Sequence, residues 1–240
     1  MLDGVKIRKI ITCLLKKNII LQKKQMFKYL IKNYVVNSEK HKQKALLMLH
    51  GYGSNEADLF SFAGYLPEDW VIISARAPYS LSFGGYAWYD LFIDAQGNKI
   101  SDNLQAQDSL KKLSQFIDYL KEKYQIDAAN FNLMGFSQGA ILSYALALNY
   151  PDKIKNVIAL SGYINEDVMP LQEKIENYRH LNFFVSHGIY DEVISVKEAR
   201  KIPPYLQARK IQHIYNEYNM GHEVNDECME DMLSWTKQNF

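Results

Sequence analysis

Cysteine is nearly absent from this sequence. Two occur in 240 residues, Cys13 and Cys228, with no C-x-x-C spacing, which leaves no disulfide framework, zinc ribbon or paired-thiol redox motif to read and fits a reducing cytoplasm. A surplus of charge of one sign is missing too. The 28 Lys and Arg against 27 Asp and Glu leave a formal net charge of +1, so there is no electrostatic footprint for nucleic acid, and polyanions are not expected partners. No apolar run approaches the ~20 residues that a membrane span needs. Internal repeats and low-complexity linkers are lacking as well, and composition does not change regime after residue 40. What is present is 48% hydrophobic residues, enough at this length to close one sizeable core.

The charge balance breaks only at the N-terminus. Residues 1–25 carry seven Lys/Arg and one acid, with apolar pairs at Ile10/Ile11, Leu14/Leu15 and Ile19/Ile20. Such spacing can lay a basic amphipathic helix on a membrane surface. Against this, IITCLL is too short for a signal-peptide core and runs into Lys16 and Lys17 rather than small residues suited to cleavage. Met26 then opens MFKYLIKNYVV. Residues 1–25 therefore read as a disordered or adventitious extension, 26–240 as one domain, and membrane association is not expected.

From about residue 45 short apolar runs alternate with helical patterns. ALLMLH (45–50), WVIISA (70–75), FNLM (131–134), NVIALSG (156–162), NFFVSHG (182–188) and HIYNEY (213–218) read as strands. Helices are expected over 102–124, with Leu110, Leu113, Ile117, Leu120 and Tyr124 on one face, over 139–149, apolar nearly all round, and over 224–239. KYLIKNYVV, about 28–36, reads as an edge hairpin strand. The alternation implies βαβ units and an α/β fold with a mostly parallel central sheet flanked by helices. Open sheets of this kind carry their sites beyond the carboxyl ends of the strands.

At one such end stands GFSQG, residues 135–139, between FNLM and AILSYALAL. Strand, sharp turn and helix are the context in which G-x-S-x-G holds a nucleophile. Flanking glycines let strand and helix approach closely around a strained serine, and the helix N-terminus favours a developing anion. The bland reading makes Ser137 an N-cap beside a tight turn. A serine hydroxyl needs a base and the base an orienting acid, in the order Ser, Asp or Glu, His on this kind of scaffold. His222, in NMGHEV between a strand and the last helix, is the candidate base; His213 lies inside a strand-like run. Asp191 follows the buried run NFFVSHG and is the candidate acid, with Glu192 facing solvent. The oxyanion donors expected are the backbone N–H groups of Gln138, next after the serine, and of Tyr52 in LHGYGSNEADL. His50 reads as a residue that holds this loop.

Taken together, LHGYGSNEADL, GFSQGA, HGIYDEVISV and MGHEV, in this order, resemble the phospholipase/carboxylesterase group of α/β hydrolases over about residues 40–240. The resemblance implies an α/β-hydrolase fold with minimal or no cap, a serine esterase acting on small-molecule carboxylic esters or thioesters through an acyl-enzyme, and no metal or organic cofactor. It assigns Ser137, Asp191 and His222 as catalytic residues, with Tyr52 and Gln138 at the oxyanion hole. Many relatives have HGLGD where this chain has HGYGSN, so Tyr52 brings a phenol near the acyl pocket. SLSFGGYAWYDL, residues 80–91, resembles the family's aromatic stretch. Leu81, Phe83, Trp88 and Phe136 are therefore expected as pocket walls. Other activities on the same fold, such as lactone hydrolysis or peptide cleavage, and a non-catalytic binding domain stay open. Acyl length, leaving group and oligomeric state are outside what these motifs specify.

Overall fold

Period-two alternation of large apolar residues decides the architecture. In a computed structural model, residues 26–33, 42–96, 99–171 and 175–240 are described. The basic segment 1–25 and the end of the expected edge strand, 34–36, lie outside them. The strands are β1 (Tyr29–Lys32), β2 (Gln43–Leu49), β3 (Trp70–Ala75), β4 (Tyr79–Ser80), β5 (Tyr86–Ala87), β6 (Leu91–Ile93), β7 (Lys99–Ser101), β8 (Ile126–Phe136), β9 (Asn156–Leu160), β10 (Asn182–Gly188) and β11 (Gln212–Tyr218). The helices are α1 (Asn103–Lys123), α2 (Gln138–Asn149), α3 (Val196–Ala199), α4 (Ile202–Ala208) and α5 (Asp226–Asn239). Seven strands form the main sheet in the order β1-β3-β2-β8-β9-β10-β11. All neighbours are parallel except β1, which runs antiparallel to β3.

Along β2, Leu47 and Leu49 enter one core while Leu46 and Met48 enter the other. On the first face lie α1, through Leu110, Leu113, Phe116, Ile117 and Leu120, and α2, whose residues 138–148 are all buried. On the second face lies α5, through Cys228, Met232 and Trp235, beside a short 3₁₀ turn at Leu59–Gly64. A strand buried on both faces reads as a continuous apolar run, which is why these strands are legible. The chain thus has an α/β-hydrolase fold. Between β3 and α1 lie two small hairpins, β4–β5 and β6–β7. The expected edge strand exists as β1, but not as a hairpin: it pairs with β3 rather than with β2, its neighbour in sequence. Among the described residues no helix is long and apolar enough to cross a membrane.

Candidate active site

Four loops meet beyond the carboxyl ends of β2, β8, β10 and β11. Ser137 follows β8 and takes φ 53°, ψ −116°, a left-handed conformation that L-residues adopt only under constraint. The constraint is the crowding of its neighbours. A Cβ on Gly135 would collide with the Gly139 carbonyl, and one on Gly139 with the carbonyl of Leu49 at the end of β2. Ser137 N–H is held by the Leu160 carbonyl at 2.9 Å. We expect Gly139→Ala to cost about 2–3 kcal/mol through this overlap and lower the thermal midpoint by about 4–10 °C. Gly64→Ala, at a site with nothing within 4 Å, should leave the midpoint unchanged. Thermal unfolding of the two variants side by side checks this.

Ser137 sits at the N-cap of α2, yet its side chain caps nothing. Its Oγ instead donates to His222 Nε2 at 2.9 Å, and His222 Nδ1–H donates to Asp191 Oδ2 at 2.7 Å. This disposes of the capping reading. The Asp191 side chain is fully buried, and its other oxygen, Oδ1, accepts the Val193 and Ile194 N–H groups, each at 2.8 Å. Two loops are stitched together to bring Asp191 and His222 into register: Ile189 N–H donates to the Tyr218 carbonyl and Tyr190 N–H to that of Met220. Gly188 packs on the Gly221 carbonyl so closely that a Cβ there has no room.

The loop after β2 approaches from the other side. A Cβ on Gly51 would lie 3.2 Å from Phe136 and 3.4 Å from Ser137, and among the described residues no acceptor engages the Tyr52 N–H. His50, fully buried, accepts the Ala77 N–H at Nε2 (3.0 Å), so its hydrogen is on Nδ1, donated to the Gly51 carbonyl at 2.7 Å. Burial pushes this imidazole below its usual pKa. The sign follows: the unfolded chain takes up the proton first, so the loop's stability is complete above about pH 6.5 and declines as pH falls through the depressed folded value. Between pH 7.5 and 5 the parent's midpoint should therefore drop further than that of His50→Gln, which keeps an acceptor but does not titrate.

Comparison with known proteins gives the family. Residues 31–240 match the model of the Phospholipase/Carboxylesterase family. The chain belongs to that family. Its members are ester hydrolases, and so is this protein. A probable carboxylesterase SOBER1-like of Arabidopsis thaliana is 27% identical over 205 residues, 80% of this chain and 78% of the relative. Acyl-protein thioesterase 1 of Aspergillus fumigatus is 24% identical over 232 residues, 85% and 91% of the two chains. Among solved structures, the Bacillus cereus carboxylesterase superposes with a TM-score of 0.76 at 21% identity, covering 93% of this chain and all of that one; at that identity the likeness speaks for the fold.

Within this family member, Phe136 lies against the triad-like chain, its ring 4.9 Å from that of His222. Phe83 is 72% exposed on the 81–85 turn, its ring 6.3 Å from Tyr52, and Leu81 is half-buried at the base of that turn, its N–H on the Gly85 carbonyl. Trp88 is not a pocket wall. It has no accessible surface, packs between Phe27 and His50, and donates its indole N–H to the His50 carbonyl at 2.9 Å. A residue without exposed surface lines no open pocket; Trp88 is a strut between the core and the loop after β2. The Gln138 side chain completes the bracing, accepting the Trp88 N–H at 2.8 Å and donating to the Tyr89 carbonyl at 2.7 Å. Glu56, which anchors the same loop through a two-pronged pair with Arg76, and His187 beside Asp191 went unread in the sequence. His213, set aside as a strand residue, does lie in β11.

Proposed function

We propose that this ester hydrolase is a serine carboxylesterase or acyl thioesterase working through an acyl-enzyme. The observation that carries the reading is the hydrogen-bond chain Ser137 Oγ, His222, Asp191 at 2.9 and 2.7 Å, with the serine on a strained turn at a helix N-terminus. Ser137 Oγ attacks the acyl carbonyl carbon while His222 Nε2 takes the hydroxyl proton. The oxygen's negative charge is met by the N–H groups of Tyr52 and Gln138. On collapse, the C–O or C–S bond breaks and His222 passes its proton to the leaving alcohol or thiol. Water then attacks the acyl-enzyme, giving its proton to His222, and the acid departs as Ser137 is re-protonated. Asp191 keeps His222 in the tautomer with its hydrogen on Nδ1. These steps use the chain's own residues throughout.

The names of the relatives, carboxylesterase and acyl-protein thioesterase, support esters and thioesters as the substrate class. Tyr52 and Phe83 give the mouth an aromatic rim, suited to the apolar part of an acyl group. The reading places the enzyme in a reducing cytoplasm, where the buried Cys228 thiol, pushed up to about 11 by burial, is inert. Two measurements test it. A fluorophosphonate probe should label the parent at Ser137, and a p-nitrophenyl ester series should be hydrolysed with a burst of nitrophenol. Absence of both labelling and hydrolysis in folded protein would return the chain to the non-catalytic reading.

A further inference from the structure

A second histidine shares the acid of this site. His187, the penultimate residue of β10, has no accessible surface, and its Nε2 lies 2.8 Å from the Ile194 carbonyl and 3.3 Å from Asp191 Oδ2. A carbonyl only accepts, so the ring hydrogen is on Nε2. His187 Nδ1 is buried with no partner among the described residues. The imidazole therefore faces the Asp191 loop with one donor and gets nothing from its other nitrogen, an arrangement a core residue chosen for packing would not need. Asp191 Oδ2 accepts from His222 with His187 Nε2 3.3 Å away, while Oδ1 accepts two backbone N–H groups.

We infer that His187 is a positioning residue for the ester-hydrolysing site: its Nε2–H, bonded to the Ile194 carbonyl and facing Asp191 Oδ2 at 3.3 Å, holds the turn from Asp191 to Ile194 against strand β10 so that Oδ2 meets His222. The inference rests on the serine mechanism proposed above. Two backbone donors at Oδ1 define a point, about which the carboxylate can still turn; a ring on the rigid strand, tied to Ile194 and set beside Oδ2, limits that freedom. The ring also presents a partly positive N–H edge to the oxygen that holds His222, and His187→Leu removes it. The other charged neighbour on the sheet is Glu217, the register partner of His187 on β11, whose carboxylate is engaged by Arg200 (2.7 Å) and Tyr215 (2.8 Å). On the β9 side stand Leu160 and Ser161, which are uncharged.

The test compares His187→Leu, which has no donor, with His187→Gln, whose amide can reach the Nε2 position, using a p-nitrophenyl ester and the full chain. His187→Leu should lower kcat about 10- to 100-fold with KM within about twofold, as expected for a misplaced base, and His187→Gln should recover to within about threefold of the parent. The acid limb of kcat/KM should move to higher pH in His187→Leu and stay in place in His187→Gln. A kcat within twofold of the parent and an unmoved acid limb in His187→Leu overturn the inference, as does a His187→Gln no better than His187→Leu. If His187→Leu does not fold, His187→Asn replaces it: its amide stops short of Asp191, so equal rates for the Asn and Gln variants overturn the inference. Ser137→Ala is assayed beside them. Hydrolysis surviving in Ser137→Ala overturns the serine mechanism itself, whereas an inactive Ser137→Ala with a fully active His187→Leu overturns the positioning role alone.

Discussion

Replacing Ser137 with alanine is expected to lower ester hydrolysis by about 10⁴- to 10⁶-fold, because among the described residues the group hydrogen-bonded to His222 Nε2 is Ser137 Oγ, and without it only binding and the oxyanion donors remain. The fold should be indifferent to this change. Ser137 Oγ makes one hydrogen bond, to a partly exposed histidine, and alanine bears the same strained backbone. Ser137→Gly separates the two contributions. At φ 53°, ψ −116° glycine relieves strain of about 1–3 kcal/mol, so the glycine variant should be as inactive as the alanine variant and melt about 2–10 °C higher than it. Initial rates on a p-nitrophenyl ester and thermal unfolding of the three proteins are the measurements. An alanine variant retaining more than about 1% of the parental rate would mean that the acyl group is transferred elsewhere, and a glycine variant melting below the alanine one would mean that the turn is not under strain.

The elements that sequence reasoning located best are those buried on both faces. Trp70–Ala75 and Asn182–Gly188 fall where WVIISA and NFFVSHG placed them, since all of these residues but Asn182 are buried and few other structures accommodate such a run. The front of β8 was not legible. IDAAN is polar and half exposed, and it is strand because Ile126 pairs with Gln43 across a register shift, a tertiary fact with no hydrophobic signature. The partner of β1 was hidden for the same reason, as Tyr29–Lys32 pairs with Ile72–Ala75, far along the chain. At the site, the order of motifs located Ser137, His222 and Asp191 on neighbouring loops. The direction of a side chain was harder to read: Trp88 has the composition of a pocket wall, but its indole N–H finds the His50 carbonyl and turns the ring into the core. His187 escaped because a base was sought only downstream of the acid, although HGIYDEV puts it four residues before Asp191.

Asp191→Asn should be the second most damaging change, lowering kcat by about 10³- to 10⁴-fold with little effect on KM. The cause can be followed atom by atom. The Val193 and Ile194 N–H groups both point at Oδ1, so the asparagine must put its carbonyl oxygen there and turn its NH₂ toward His222 and His187. Facing a donor, His222 Nδ1 must give up its hydrogen and act as acceptor, which moves the proton to Nε2, the nitrogen that has to accept from Ser137. The base is then occupied before the reaction starts. The same NH₂ meets the Nε2–H of His187, donor against donor, so a modest loss of stability should accompany the loss of rate. Glu192, adjacent in sequence but exposed, serves as the control, and Glu192→Gln should stay within about twofold of the parent, as surface changes do. Fluorophosphonate labelling should slow in Asp191→Asn in step with kcat, because it depends on the same proton acceptor. If Asp191→Asn kept a tenth or more of the parental rate while Glu192→Gln fell, the orienting acid would be Glu192, and the 2.7 Å contact between His222 and Asp191 would be a resting arrangement that the working enzyme leaves.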